Sequence, residues 1–270
     1  MAFTKTLVAD AVIHALTEKQ AIYQSCNRSY DGLVAQGATS VDIPALPTLV
    51  RKTTGTSSTH GDRKGIKGDT TMVNVPLSVS TVPIKEEILA RFETNGKLME
   101  EFVAGSANTF QEGFDLDVLT EAVTGAPTAT EMAGTSLAWS DIMKLSALLN
   151  TAKVPQQNRI IVIPAALEEQ FYAIDVVKSA MAAQKDLLEG QFVVIRGMKF
   201  YISSLVPKKV ANKENILGLY GPGLAFILSR YMQQERVWDS ENLQANVDFV
   251  CHSGVKLLKS SFAAVVRQKD

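Results

Sequence analysis

The sequence predicts an α+β fold from three features. From Ile84 to Val123 apolar residues recur at Ile84, Ile88, Phe92, Met99, Val103, Ala107, Phe110, Phe114, Val118 and Ala122. Steps of three and four place them on one helical stripe. Strand-period alternation flanks this segment, in Val41, Ile43, Ala45 and Val73, Val75, Leu77, Val79 before it, and in Val247, Phe249, Cys251 and Phe262, Ala264, Val266 after it. Helices and strands then mix without a βαβαβ rhythm, which favours α+β over a doubly wound sheet.

Taken in order, Leu7, Val8, Ala11, Val12 and Leu16 share a helical face opposite Lys5, Asp10 and Glu18, giving an N-terminal arm that ends near Asn27 to Gly32. Pro44 and Pro47 confine the first strand to an edge. Residues 53–70 carry Gly55, Gly61, Gly65 and Gly68 among many hydroxyls and read as a loop tip. The return strand has one apolar face. The whole is a long hairpin, and an isolated hairpin is only marginally stable in water. Its apolar side therefore calls for a cover, and another copy of the chain is the simplest source.

Thr94-Asn95-Gly96 interrupts the helical pattern, so a short helix is expected to about Phe92 and a long one from Lys97, roughly 40 Å in length. Gly105 and Gly113 inside it each cost about 1 kcal/mol relative to alanine, which points to a neighbouring strand or chain packing closely there. Thr124-Gly125-Ala126-Pro127 ends the helix. Ser140 is placed to cap the next one, over Ile142, Leu145, Leu148 and Leu149. Arg159 to Ile163 reads as a buried strand, Pro164 opens a helix through Ala173, and Val176 to Leu188 is another. Phe192–Ile195 and Lys199–Ser203 read as strands about an Arg196-Gly197 turn, and Ile216–Tyr220 and Leu224–Leu228 as strands about Gly221-Pro222-Gly223.

The chain has 270 residues with 46% hydrophobic content, enough for one large core or two modest ones. Twenty-seven basic and 28 acidic residues give a net charge of −1, which argues against a dedicated nucleic-acid binder. Cys26 and Cys251 form no metal or redox motif and read as buried thiols. The N-terminal sequence lacks a signal-peptide core, and no apolar run is long enough to span a membrane. Catalytic signatures are missing as well. The spacing of Gly55 and Gly61 misses the phosphate-loop pattern, and Asp62 stands where its lysine belongs. His14, His60 and His252 share no ligand spacing. No catalytic, metal or cofactor residue is therefore assigned.

The order of arm, hairpin, break and long helix ending FDLDVLTEAVTG, followed by EGQFVVIRGMKFYISSLVP, ILGLYGPGLAFILSR and NVDFVCHSGVKLL, resembles the major capsid proteins of tailed bacteriophages. Asp115 and Leu119 fall where that family often has an acid and a leucine near the end of its spine helix, and Gly197 falls at its axial-domain turn. The resemblance implies the tailed-phage major capsid fold, α+β, with an N-terminal arm at residues 1–40 and an extended hairpin loop at 41–82. A peripheral domain with the spine helix covers 83–138, an axial domain 139–245, and terminal strands 246–270 return to the peripheral domain. It implies a non-enzymatic homo-oligomer of pentamers and hexamers in an icosahedral shell around packaged double-stranded DNA. The protein would be assembled in the bacterial host cytoplasm and located in the virion. A portal, a separate scaffolding protein (if Met1 is the native start) and a decoration protein are the further partners it suggests.

Inter-subunit contacts are expected from Arg51, Arg63, Lys64 and Lys67 at the loop tip, pairing with acids of a neighbour, and from Val73, Val75, Leu77 and Val79 on the apolar face. Some members of the family join a loop lysine to a neighbour's asparagine. Lys64 or Lys67 and Asn242 or Asn246 would be recruited to such a role, though nothing local singles them out. Two other readings are an encapsulin-type nanocompartment shell and a soluble α+β enzyme whose hairpin is a dimerisation arm.

Overall fold

In a computed structural model, the described residues are 21–31, 38–44, 72–85, 96–127, 129–183, 193–210, 213–228, 233–239 and 244–269. The dominant element is α1 (Gly96–Gly125), 30 residues and about 45 Å long. Ala107, Phe110, Phe114, Val118, Leu119, Ala122 and Val123 are buried along it, as the period predicts. Gly125 ends it against Leu257, whose Cδ2 would lie 2.9 Å from an added Cβ. At Gly105 and Gly113 a Cβ would meet nothing within 4 Å, so no strand of this chain among the described residues packs there.

Strand β1 (Ser40–Pro44) pairs antiparallel with β2 (Met72–Pro76), placing Val41 opposite Val75 and Ile43 opposite Val73. Through Leu77 the chain continues into β3 (Ser78–Lys85), so Ile84 belongs to a strand and not to a helix. Pro83 is tolerated there because β3 lies at a sheet edge. The short helix expected to about Phe92, like the loop tip and residues 1–20, lies outside the described residues.

A six-stranded sheet combines β4 (Thr130–Glu131), β5 (Arg159–Pro164), β6 (Val193–Ile195), β7 (Met198–Ser203), β8 (Asn215–Tyr220) and β12 (Ala263–Arg267) in the order β4-β12-β8-β5-β7-β6. Arg196 and Gly197 adopt φ of 52° and 77°, the left-handed pair that a two-residue hairpin turn requires. All of β5 is buried, so both sheet faces are covered. Ile161 and Ile163 pack with Ile142, Leu145 and Leu149 of α2 (Trp139–Thr151), Phe171 of α3 (Glu168–Ala173) and Val177 of α4 (Asp175–Ala183). Ile160 and Val162 pack on the other side, in the cluster that holds α1.

The second sheet is built on β11 (Gln244–Leu257), which pairs antiparallel with β3, with β9 (Leu224–Leu228) and with β10 (Gln233–Asp239). Each sheet gathers strands that lie far apart in the chain. Strands β9 and β10 fall inside the stretch assigned to the axial domain but belong to the sheet under α1. Strand β12 falls among the terminal strands yet sits between β4 and β8. The Gly221-Pro222-Gly223 turn carries the chain from one sheet to the other, and the Ser260–Phe262 turn brings it back.

Two expected helix starts also differ. Helix α2 begins at Trp139, and the capping acid is Asp141 in place of Ser140. The fully buried Asp141 carboxylate accepts the amides of Ala133 (2.9 Å) and Ala138 (3.3 Å) and the Lys144 ammonium (2.9 Å). Burial alone would raise its pKa, but these donors together hold it below the usual carboxylate value. Pro164 closes β5, and a 3-10 turn at Ala165–Leu167 precedes α3.

Candidate inter-subunit surface

The root of the hairpin lies on strand β9. Leu224 through Leu228 is apolar at every position, and its two faces have different neighbours. Leu224 and Phe226 join the cluster under α1, whereas Ala225 and Ile227 cluster with Val41, Ile43 and Val75. Strand β9 is thus a middle layer between the helix core and the hairpin. Gly254 on β11 permits the approach: an added Cβ would stand 2.6 Å from the Pro76 carbonyl oxygen.

The apolar face of the return strand is therefore not a single open surface. Val75 is fully buried by its own chain and is corrected from an inter-subunit contact to a core residue. Val73 and Leu77 are half-buried, and Leu77 packs against the same cluster. Val79 is 57% exposed. Alternation fails between Leu77 and Ser80: Ser78 and Val79 are both exposed, and Ser80 and Val82 take the inward phase. Strand β3 pairs Ser80 with Cys251 and Val82 with Phe249, and these β11 residues face the core. This pairing sets the new phase. Arg51, Arg63, Lys64 and Lys67 lie outside the described residues, as does Asn242. Asn246 is paired within β11, opposite Lys85 and Val237.

Two substitutions separate the root from the surface. Val75→Asp places a charge in a closed apolar cluster and is expected to cost at least about 3 kcal/mol. Val79→Asp is expected to stay within about 0.5 kcal/mol. Thermal denaturation of both variants reads this directly, and equal losses would mean that the root has no cover of its own.

What remains outward includes Met72 at 60% exposure, Val79, and Trp238 at 62% on edge strand β10. Sequence reading missed β10 altogether, because QQERVWD has no clean alternation and follows a short connection. The continuous apolar run LAFIL was the available sign that β9 is covered on both faces.

Chemistry is sparse among the described residues. No group of three or more His, Cys, Asp or Glu there could hold a metal ion, and no helix is long and apolar enough to cross a membrane. Burial pushes the Cys26 and Cys251 thiols up to about 12, which leaves them protonated and unreactive at neutral pH. Arg159, 2% exposed, donates to the carbonyls of Pro155 (2.9 Å) and Val154 (2.6 Å) and to Asn150 Oδ1 (2.8 Å). That arrangement ties the end of α2 to β5 and is structural.

Comparison by sequence finds no matching family model and no matching curated protein. Comparison by structure does find matches. A solved structure from Mycobacterium phage Che8 superimposes with a TM-score of 0.59 at 16% identity, covering 92% of this chain and 91% of that one. The capsid of a native gene transfer agent particle gives 0.61 at 10% identity over 93% and 92%. The chain has the phage-capsid fold. The same fold extends to an encapsulin, the holo-SrpI complex of Synechococcus elongatus PCC 7942, at 0.53 and 12% identity over 74% and 76%. The sheet of β3, β9, β10 and β11 lies beneath α1.

Proposed function

We propose that this chain is the major subunit of a tailed-phage capsid. It assembles as pentamers and hexamers into an icosahedral shell enclosing double-stranded DNA, without catalysis. The observation that carries the reading is end-to-end agreement: the capsid fold accounts for more than nine-tenths of this chain and of its phage and gene-transfer-agent counterparts. Physical features agree with it. Strands β3 and β10 are sheet edges, and closed symmetry lets copies cover such edges. Large exposed apolar side chains at Met72, Val79 and Trp238 suit permanent contacts, which are more apolar than the ordinary surface.

In this reading Arg51, Arg63, Lys64 and Lys67 supply the electrostatic part of the contact with a neighbouring subunit, and exposed Val79 and half-buried Val73 and Leu77 supply apolar rim. Host-cell assembly, a portal, a scaffolding protein and a decoration protein complete the expected setting. A second reading, the encapsulin shell, is favoured by the SrpI match and differs in its cargo.

Electron microscopy of the expressed protein, alone and with any scaffolding product encoded beside it, tests the proposal. Closed shells with five- and six-fold clusters are expected, and Arg63→Glu with Lys64→Glu should lower their yield and salt tolerance. Shells filled with an enzyme would favour the encapsulin. A monomer or dimer at every protein and salt concentration would remove both.

A further inference from the structure

Asp115 lies near the C-terminal half of α1, where residues 21–31 pack, and is 9% exposed. One of its carboxylate oxygens accepts the Tyr23 amide at 2.9 Å, and the Ile22 amide is a second donor. The surroundings are apolar and aromatic: the Tyr23 ring meets Phe114 at 5.5 Å and Phe226 at 5.1 Å. The titratable groups at this junction come from three elements. Residues 21–31 contribute Tyr23 and Cys26, β7 contributes Tyr201 with its hydroxyl 3.1 Å from Ser25 Oγ, and β11 contributes Cys251. Strand β9 contributes none. Burial raises all four of these groups, so each is neutral at physiological pH. Arg28 is the cation whose charge reaches Tyr23 and Cys26, and its guanidinium is held by Asp31 at 2.7 Å.

Asp115 is thus a carboxylate in an apolar junction with amide donors facing it and the local arginine engaged elsewhere. We propose that Asp115 is a proton-operated clasp: taking up a proton tightens the docking of residues 21–31 onto α1, and losing it loosens them. When the segment undocks, water solvates the anion. Docking strips that water away, and two amides replace it only in part.

Desolvation accordingly pushes Asp115 up to about 6, against an ordinary value of 3.8. A carboxyl raised in the docked state contributes docking stability that is full below its free value and is lost as pH rises through about 6. Between pH 5 and pH 8 the docking constant falls about tenfold. The inference does not depend on what the chain assembles into.

Hydrogen exchange of the full chain, corrected for the intrinsic effect of pH, tests the clasp. The amides to follow are Tyr23, Asn27, Phe226 and Leu228, which bond across the docked segment to Asp115, Leu224, Asn27 and Asp31. Their protection should fall about tenfold from pH 5 to pH 8 in the wild type and stay level in Asp115→Asn. Equal slopes in the two proteins, or protection that rises with pH, overturns the proposal. If that variant does not fold, the wild-type slope decides alone: a fall with rising pH supports the clasp, and level or rising protection overturns it.

Discussion

Phe114→Ala lowers the stability of the folded chain by about 3–5 kcal/mol, the range for losing a buried aromatic ring. Phe114 is 1% exposed and sits between Tyr23, Phe110 and Phe226, with centroids at 5.5, 6.0 and 5.4 Å. Two of these contacts are edge-on, the favoured aromatic geometry. The three neighbours belong to residues 21–31, α1 and β9, whose backbones are fixed by separate hydrogen bonds. They cannot close on the space together, so the cavity term adds to the lost transfer energy. Guanidinium unfolding at constant pH measures the change. A loss under about 1 kcal/mol would mean that the three elements do not share a core here.

Gly221→Ala is the second large effect, at about 2–4 kcal/mol. An added Cβ would run into the Ser25 carbonyl oxygen, with the Ile160 Cδ1 3.5 Å away on another side. Both the turn and the Ser25 peptide are backbone, and neither can retreat by changing a rotamer. Residues 21–31 must lift, taking with them the Asn27 bonds to Leu224 (2.8 Å) and Phe226 (3.1 Å). Gly113→Ala provides the control. A methyl there meets nothing within 4 Å, and the helix should gain up to about 1 kcal/mol. Melting temperatures of the two variants should move in opposite directions.

The contrast between these glycines shows what a single sequence conveys. A close neighbour was expected at Gly113 inside the helix, yet of these two glycines only Gly221, in a turn, has one. The stripe from Ala107 to Val123 was legible because one helical period repeats over several turns, and the two strands of the hairpin because Val41, Ile43, Val73 and Val75 alternate cleanly. The cover over Val75 was not legible. It comes from Ala225 and Ile227, far along the chain, and the alternation on β2 states only that one side is buried. The change of phase at Ser78 and Val79 was equally hidden, since Val79 continues the apolar series and only pairing with β11 turns it outward. Asp141 was overlooked beside Ser140 because a hydroxyl in the expected cap position is the usual signal. Its amide from Ala133 arrives through a loop with no periodicity.

The three-layer root also has a mechanical consequence. Traction on β2 passes through Leu77 into β3, and eight paired positions with β11 share that load. Bonds stressed side by side resist far better than bonds opened one after another. The root therefore yields little, and a force applied to β2 is delivered to the sheet beneath the long helix.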